Sequence, residues 1–375
     1  MKKKLLFIVN VDWFFVSHRL QIAKAAQKNG YEIHLACKIT NHFDFLIDHG
    51  IIVHPLEIDR NSINVFKFFN SFYNIIKILK SVKPSIVHLV SIKSIIIGGL
   101  ALKFKHKLPV VFSISGLGYI FIQNGFYQNI RKHLVKMLYY FVFNRNNSII
   151  IFQNNDDINE FTKLSKNKII LIPGSGVNTT EYLNLPIPNG QPIILMASRL
   201  LKDKGVYEYF DAVKYLKEHY TDFYNKVRFV LVGEIDELNP SSINKSDLIK
   251  FQDYNLIEMW GHKSDMPNIL TLASIVILPS YREGLPKILV EASSCGRPVI
   301  TTDVPGCREA IINNITGLLV PVKNHVALAE AIVLLISNKK LFINMSISAR
   351  KFALMKFRIE DIITKHLEIY EKLQN

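Results

Sequence analysis

The chain has 375 residues, 49% of them apolar, which is enough for two ordinary domains that each bury a core and excludes a disordered protein. Its net charge of +15 is concentrated in the first half: residues 1–180 carry 23 Lys and Arg against nine Asp and Glu, whereas residues 181–375 carry 23 against 22. An anionic partner of the first half is therefore expected, and a membrane surface, a phosphorylated acceptor and a nucleic acid are the classes to separate.

The first apolar run, residues 5–9, follows three lysines and imitates the start of a signal peptide, but Asn10 and Asp12 end it without a cleavage site. It predicts a buried strand. The three cysteines, Cys37, Cys295 and Cys307, have neither metal-ligand nor disulfide spacing, which favours a reducing cytoplasm. No segment reaches the roughly 18 apolar residues of a spanning helix, so any membrane association is expected to be peripheral, at the inner face of the cell membrane.

Short β-branched runs alternate with helical stretches along the chain, a pattern typical of parallel sheets covered by helices. In the first half, the predicted strands are 5–10, 32–37, 51–58, 86–90, 110–115, 148–153 and 169–173. In the second half they are 193–197, 228–232, 256–260, 275–279, 299–302 and 318–320, with helices over 206–220, 266–273, 286–295, 327–336, 341–356 and 359–373. The fold class is α/β, with two doubly wound Rossmann-like domains.

The composition changes to Gly, Ser, Asn, Thr and Pro between residues 174 and 191, which is typical of a connection. The predicted organisation is a first domain over 1–175, a linker over 176–190, a second domain over 191–355, and a C-terminal helix over 356–375 whose return to the first domain is left open. Ligands of such sheets bind at the carboxyl ends of the strands, so the chemistry is expected in a cleft at these ends.

The most informative stretch follows the predicted strand 275–279. A loop containing Glu283 and Gly284 leads to Pro286, a residue typical of a first helical turn, and a helix amino terminus at a strand end suits a diphosphate. The backbone around Gly284, Leu285, Pro286 and Lys287 is the predicted anion site. Glu283 and Glu291 are candidates for binding sugar and ribose hydroxyls; the alternative is that Glu283 caps the helix and Glu291 is a solvated residue.

A second element, residues 198–205, follows the first strand of the second half. Arg199 and Lys204 are predicted to clamp phosphate oxygens, Arg through its planar fork and Lys as a point charge. A solvated loop is the alternative interpretation when this element is considered alone.

Together these residues resemble a known family. The second half resembles the family 4 (group 1) glycosyltransferases, closest to the branch of undecaprenyl-diphosphate-bacillosamine N-acetylgalactosaminyltransferases. The resemblance rests on Arg199, Lys204-Gly205, Val232-Gly233, Trp260-Gly261, the Glu283–Glu291 spacing and residues 317–321. The resemblance implies the two-domain GT-B fold, a retaining reaction, a UDP-sugar donor, and neither a cofactor nor a metal at the diphosphate. It implies catalytic roles for Arg199, Lys204 and Glu283, and donor binding by residues 284–287, Glu291 and Gly233.

The first half is expected to bind the acceptor, a polyprenyl-diphosphate-linked saccharide of surface-polysaccharide or glycan assembly. Residues 13–19 and 113–119 are predicted strand-to-helix turns, and His18, Ser115 and Gly116 are the acceptor-side candidates. His18 as a structural histidine is the alternative. The family's Gly-Gly loop after the first strand is replaced here by bulky residues, and no side chain is identified as nucleophile or base. The departing phosphate is the expected proton acceptor.

Two aromatic and basic segments, 65–83 and 126–143, are predicted surface helices that contact an anionic membrane; packing on the sheet alone is the alternative. A sugar-nucleotide epimerase or phosphorylase of the same fold is the rival enzyme. A nucleic-acid binder is the rival from another class, but no motif that reads RNA or DNA is present, so no nucleic-acid partner is expected.

Overall fold

The computed structural model describes residues 2–58, 65–103, 105, 107–118, 121, 125–162, 167–237 and 239–374. The chain divides into two compact units. Unit 1 comprises Met1–Ser175 and Glu360–Asn375, and unit 2 comprises Gly176–Ile359. The last helix of the chain is thus part of the unit that holds the first strand.

Unit 1 is built on a parallel sheet of β1 (Lys3–Val11), β2 (Tyr31–Lys38), β3 (Ile52–Pro55), β4 (Ile86–Val90), β5 (Val110–Ile114), β6 (Ser148–Phe152) and β7 (Lys168–Leu171). The strand order is β3-β2-β1-β4-β5-β6-β7. The order reverses between β1 and β4, where such sheets form a ligand crevice at the carboxyl ends of their strands.

Helices cover both faces of this sheet, which explains its continuous apolar strands. They are α1 (Asp12–His18), α2 (Leu20–Lys28), α3 (Phe43–Asp48), α4 (Val65–Val82), α5 (Ile92–Leu102), α6 (Phe126–Phe143) and α7 (Asn155–Phe161), together with α15 (Ile359–Lys372) from the chain end. One face packs on α2 and α15, and the other on α4, α5 and α6.

Unit 2 repeats the plan with β8 (Ile193–Ala197), β9 (Arg228–Val232), β10 (Glu258–Gly261), β11 (Ile275–Leu278), β12 (Val299–Thr302) and β13 (Gly317–Val320), in the order β10-β9-β8-β11-β12-β13. All neighbouring strands are parallel. Its helices are α8 (Val206–His219), α9 (Thr221–Tyr224), α10 (Lys245–Asp253), α11 (Met266–Leu272), α12 (Lys287–Ser294), α13 (His325–Ser337) and α14 (Lys339–Lys356).

The predicted α/β class with two doubly wound sheets is confirmed. The turn predicted over residues 13–19 was wrong, because the chain forms α1 there directly after β1. Its run of Trp, Phe and Val has low helix propensity, which burial of Phe15 overrides. The third strand is shorter than predicted, Ile52–Pro55. Tyr119, the last residue of the predicted second turn, lies outside the described residues.

Segment 176–190, predicted as a linker, is fixed onto unit 2 by two arginines. Arg350 donates to the carbonyls of Thr179 at 3.2 Å and Tyr182 at 3.0 Å. Arg297, fully buried, donates to the carbonyl of Leu185 at 3.0 Å. These charge-assisted hydrogen bonds hold the segment against α12, which carries Glu291.

Candidate active site

The loops at the carboxyl edge of the unit 2 sheet pack backbone against backbone, and glycines make this possible. Gly233 has φ of +142° and lies against the Ser198 carbonyl; Gly205 has φ of +77° and lies against Pro279. At Gly306, φ +80°, a Cβ would lie 2.5 Å from the carbonyl oxygens of Glu283 and Gly284. The loops that follow β8, β9, β11 and β12 therefore form one connected surface.

Lys204 and Glu283 meet on this surface. Lys204 lies in a 3₁₀ turn after β8, and its Nζ donates to Oε1 of Glu283, which follows β11. The same Oε1 accepts a hydrogen bond of 2.6 Å from the buried Ser280 hydroxyl. The Lys204 side chain is 18% exposed and that of Glu283 is 12% exposed. The structure thus joins two predicted catalytic residues in one partly buried ion pair.

Helix α12 begins at Lys287 with Pro286 as its N-cap residue. Glu283 lies three positions before this residue, and its Oε1 accepts from Lys204 and Ser280. Gly284, Leu285 and Pro286 are buried just before the first helical turn. The first backbone N–H groups of a helix lack intrahelical acceptors, so this turn can bind an anion, as predicted for residues 284–287.

Glu291 is buried rather than solvated, with 4% of its surface exposed, so the alternative of a solvated residue is wrong. Lys287 Nζ lies 2.9 Å from its Oε1. Tyr182 approaches Glu291 from segment 176–190. The pKa of the Tyr182 phenol is raised well above its usual range, chiefly by burial and then by the charge of Glu291 and the hydrogen bond to it. A carboxylate held on two sides in this way is positioned to accept paired hydroxyls.

Arg199 follows β8, and its Nη1 donates to Oδ2 of Asp236 at 2.6 Å. Asp236 follows β9, so this ion pair joins two neighbouring strand ends. Arg199 and Lys204 were predicted as one clamp, but they pair with different carboxylates. The Arg199 side chain remains 39% exposed, which leaves part of its fork accessible from solvent.

In unit 1, Asp12 organises the loop after β2. Its fully buried carboxylate accepts hydrogen bonds from Thr40 N at 2.7 Å, Thr40 Oγ1 at 2.6 Å and His42 N at 3.1 Å. Burial acts to raise the pKa of Asp12, but hydrogen bonds from Thr40 and His42 outweigh it and the pKa is lowered. The carboxylate is thus charged and positions both α1 and residues 40–42.

The predicted acceptor-side residues come together around Arg19. Arg19 Nη1 donates to the His18 carbonyl at 2.9 Å, and Nη2 donates to the Ser115 hydroxyl at 3.3 Å. Gly116 follows with φ of +114°. The His18 ring stacks on Phe14 at 4.2 Å, and its Nδ1 faces the Phe14 carbonyl at 3.3 Å. Because a carbonyl only accepts, this contact is a hydrogen bond donated by Nδ1, and it fixes the ring against α1.

The cysteines are free and buried, and burial raises the pKa of the Cys307 thiol to about 12. Within the described ranges, no group of three or more His, Cys, Asp or Glu side chains could hold a metal ion. Nor does any helix in that part of the chain have the length and apolarity to cross a membrane.

Sequence reasoning did not assign roles to Arg19, Tyr182, Asp236 or Ser280. Arg19 ends the predicted turn 13–19 and Ser280 directly follows the predicted strand 275–279, so their position near a strand end was the available signal. Tyr182 and Asp236 lie in loops whose partners are over 30 residues away, and no local pattern indicates them.

Comparison with known proteins gives this geometry a family. The model of glycosyl transferases group 1 matches residues 179–352, and that of glycosyl transferase 4-like proteins matches residues 4–154. The N,N'-diacetylbacillosaminyl-diphospho-undecaprenol alpha-1,3-N-acetylgalactosaminyltransferase of Campylobacter jejuni is 30% identical over 95% of both chains. The UDP-Gal:alpha-D-GlcNAc-diphosphoundecaprenol alpha-1,3-galactosyltransferase of Escherichia coli is 25% identical over 91% of this chain and 89% of its own.

Among solved structures, the sucrose-phosphate synthase of Thermosynechococcus elongatus superposes with a TM-score of 0.81, at 20% identity and 99% coverage of both chains. This similarity confirms the GT-B fold. Both units of the chain are matched, and a relative at 30% identity spans nearly all of it. The chain belongs to the group 1 glycosyl transferases, and it is a glycosyltransferase.

Proposed function

We propose that this glycosyltransferase moves a hexose or N-acetylhexosamine from a UDP-sugar to a polyprenyl-diphosphate-linked saccharide, with retention of the anomeric configuration and without a cofactor or metal. The observation that carries the donor half is the Lys204–Glu283 pair beside the α12 amino terminus. Two relatives support the acceptor half, since both are named for transfer to diphospho-undecaprenol saccharides, and one is named for a UDP-sugar.

In this proposal the diphosphate binds the backbone of residues 284–287, with Arg199 and Lys204 as its cations. Negative charge grows on the β-phosphate as the glycosidic bond breaks, and cations fixed before the reaction stabilise that charge. Glu283 binds the transferred sugar and Glu291 the ribose, with Gly233 providing space for close backbone approach. The acceptor hydroxyl attacks the face that the diphosphate leaves, and the departing phosphate oxygen takes its proton, so no side-chain base is needed.

Unit 1 binds the acceptor and, in the same proposal, an anionic lipid surface. Helices α4 and α6 each expose large apolar side chains, namely Phe66, Phe69 and Tyr73 on α4 and Phe126, Tyr127, Ile130, Leu134, Met137 and Phe141 on α6. Phe66 is 87% exposed and Phe126 is 76% exposed. Lys67, Lys77 and Lys80 are exposed on α4. Because α4 also buries Ile75 and Leu79, it packs on the sheet and presents an apolar surface at once, which favours an interfacial helix. The basic charge is assigned to lipid rather than to nucleic acid.

The transfer is tested by incubating the purified protein with UDP-Glc, UDP-Gal, UDP-GlcNAc or UDP-GalNAc and a short-chain prenyl-diphosphate saccharide. We expect one donor to yield a product with an α-anomeric linkage by NMR, and Glu283→Gln to reduce turnover. If none of the four donors yields a product, the acceptor assignment is overturned. A β-linkage in the product overturns retention.

The membrane face is tested by co-sedimentation with vesicles of phosphatidylglycerol and phosphatidylcholine. Neutralising Lys67, Lys77 and Lys80 to Gln should lower partitioning by about 10²-fold, since each cation near an anionic surface contributes about 1 kcal/mol. The matched control neutralises three exposed lysines of unit 2, Lys214, Lys217 and Lys226, and should not change partitioning. Equal partitioning of the two triple variants contradicts the assignment.

A further inference from the structure

Arg19 is a buried cation at the carboxyl edge of the unit 1 sheet. It is 2% exposed, and burial lowers the pKa of its guanidinium to about 10, so it remains charged at neutral pH. Two of its nitrogens donate to the His18 carbonyl and the Ser115 hydroxyl. The third, Nε, is buried and has no hydrogen-bond partner among the residues that the structure describes.

The surroundings of Arg19 do not neutralise it. In the described part of the chain no carboxylate forms an ion pair with it, and its neighbours from the sheet and from α15 are His88, His366 and Tyr370. His88 is bound by the Tyr370 hydroxyl at 2.7 Å and the Ser113 hydroxyl at 2.6 Å. Burial lowers the pKa of both histidines, that of His366 to about 3, so they are neutral. A buried charge without a counter-ion is costly, and chains retain one where a ligand brings the opposite charge.

Ser115 is a partly exposed residue in contact with the buried Arg19. Its hydroxyl oxygen accepts the Arg19 N–H, so its own O–H is available to donate away from the arginine. Ser115 and Gly116 are partly exposed. On the neighbouring strand end, the Ser91 hydroxyl is also buried without a hydrogen-bond partner in the described residues, and the Ser91 N–H donates to the Ser113 carbonyl at 3.2 Å. Two orphaned polar atoms, Arg19 Nε and Ser91 Oγ, thus belong to residues at or in contact with the carboxyl ends of the neighbouring strands β4 and β5.

We propose that these residues form a phosphate subsite of unit 1: the Ser115 hydroxyl contacts the anion, and the Arg19 guanidinium behind it supplies the countercharge. The ligand class is a phosphate or diphosphate ester. This inference rests on the proposed function, in which the ligand of the subsite is the diphosphate of the lipid-linked acceptor. Arg19 is a positioning residue, since it acts on the anion through Ser115 and through its field.

The subsite predicts opposite effects of one substitution on stability and on binding. Arg19→Met keeps the volume and removes a charge that nothing neutralises, so the melting temperature should be unchanged or higher, as for other buried ions replaced by apolar groups. Arg145 is the matched control in the same unit. It is 5% exposed, and its nitrogens donate to the carbonyls of Leu102 at 2.9 Å, Lys105 at 2.8 Å and Leu108 at 2.6 Å. Arg145→Met should therefore lower the melting temperature, because it leaves these carbonyls unpaired.

The measurement is calorimetric titration of the full chain with inorganic diphosphate, in the presence of saturating UDP so that the donor site is filled. Attraction across about 6 Å in a partly solvated site corresponds to about 10²-fold in Kd, so Arg19→Met should weaken binding by that factor. Arg145→Met should bind as the wild type does, and Ser115→Ala should bind more weakly. Arg19→Lys keeps the charge and should stay within about tenfold of the wild type.

Unchanged binding by Arg19→Met overturns the proposal, as does wild-type protein that binds no diphosphate at millimolar concentration when UDP is present. If Arg19→Met fails to fold, the test rests on Arg19→Lys, which keeps the charge. If Arg19→Lys loses as much diphosphate binding as Ser115→Ala does, a role for the charge is contradicted. None of these readouts requires transfer, so failure of the acceptor assay leaves this test intact.

Steady-state kinetics distinguish whether the acceptor or the donor supplies the phosphate that binds this subsite. With a prenyl-diphosphate saccharide as acceptor, Arg19→Met should raise the acceptor KM by about 10²-fold and leave the UDP-sugar KM unchanged. With the same saccharide lacking its diphosphate, wild type and variant should have equal KM. A rise in the UDP-sugar KM instead assigns the anion to the donor and refutes the acceptor assignment.

Discussion

Removing the cation of the Lys204–Glu283 pair tests the donor site most directly. At about 4 Å and an effective dielectric constant of about 20, two unit charges attract by about 4 kcal/mol. The Lys204 side chain is 18% exposed and that of Glu283 is 12% exposed, so water screens part of this energy and desolvation offsets more. We expect a coupling of about 1–3 kcal/mol in a double-mutant cycle of Lys204→Met and Glu283→Gln, measured by urea unfolding.

Lys204→Met should also reduce kcat, and this effect is separate from the coupling energy measured by unfolding. Loss of one fixed group that stabilises developing charge costs about 10²–10³-fold in kcat, so Lys204→Met should fall in that range at saturating donor. Lys202 is the control, because it lies in the same 3₁₀ turn but is exposed, and Lys202→Met should leave kcat within about threefold. A Lys204→Met enzyme with the turnover of Lys202→Met would refute the role of this pair, and additive unfolding energies would refute its strength.

Three further predictions concern two contacts in the unit 2 site and a buried histidine of unit 1. Tyr182→Phe should raise the UDP-sugar KM by about threefold to tenfold with little change in kcat, since one hydrogen bond of about 1 kcal/mol holding Glu291 is lost; an unchanged KM contradicts this role. Gly306→Ala should lower both kcat and the melting temperature, because its Cβ would lie 2.5 Å from two carbonyl oxygens, whereas Gly190→Ala, also at positive φ but with open space, should lower only stability and by less. Finally, His366 has a folded pKa of about 3 against 6.5 unfolded, so it binds more protons when unfolded and stability falls as pH drops from about 6.5 toward 3. Urea unfolding at pH 5 should show a loss of about 2 kcal/mol from this residue that His366→Phe removes, and an equal pH dependence in that variant would disprove the assignment.

The sequence predicted the parts of the molecule that local patterns determine. Buried parallel strands need continuous apolar runs, so β4, β6, β8, β9 and β12 are found within a residue of their predicted bounds. Edge strands are weaker signals: β3 and β10 contain only exposed and half-buried residues, and the predicted ends of both differ from the observed ends by one to three residues. Helix α1 was missed because its aromatic residues are poor helix formers, and only its packing on the sheet stabilises it.

For the candidate site, the sequence predicted which residues lie at strand ends but not how they pair. Glu283 and Lys204 are 79 positions apart, and their contact depends on Gly205 and Gly306 allowing the loops to pack closely. The family resemblance implied donor binding by Glu291, but its contact with Tyr182 was not predicted, because Tyr182 lies in a segment that composition marked only as a connection. Pairing of this kind arises from strand order, which single-sequence periodicity does not contain.

The two units use charge in different ways, and this difference bears on how the enzyme separates its substrates. In unit 2 the cations Arg199, Lys204 and Lys287 each contact a carboxylate, so a bound diphosphate has to compete with Asp236, Glu283 and Glu291 for them. In unit 1 the buried Arg19 has no such competitor among the described residues, so an anion at the proposed subsite displaces no carboxylate from it. A donor whose sugar hydroxyls engage Glu283 offsets that competition, whereas a bare phosphate does not. We therefore expect the proposed donor site of unit 2 to favour a UDP-sugar over free phosphate, and the proposed subsite of unit 1 to accept any phosphate ester.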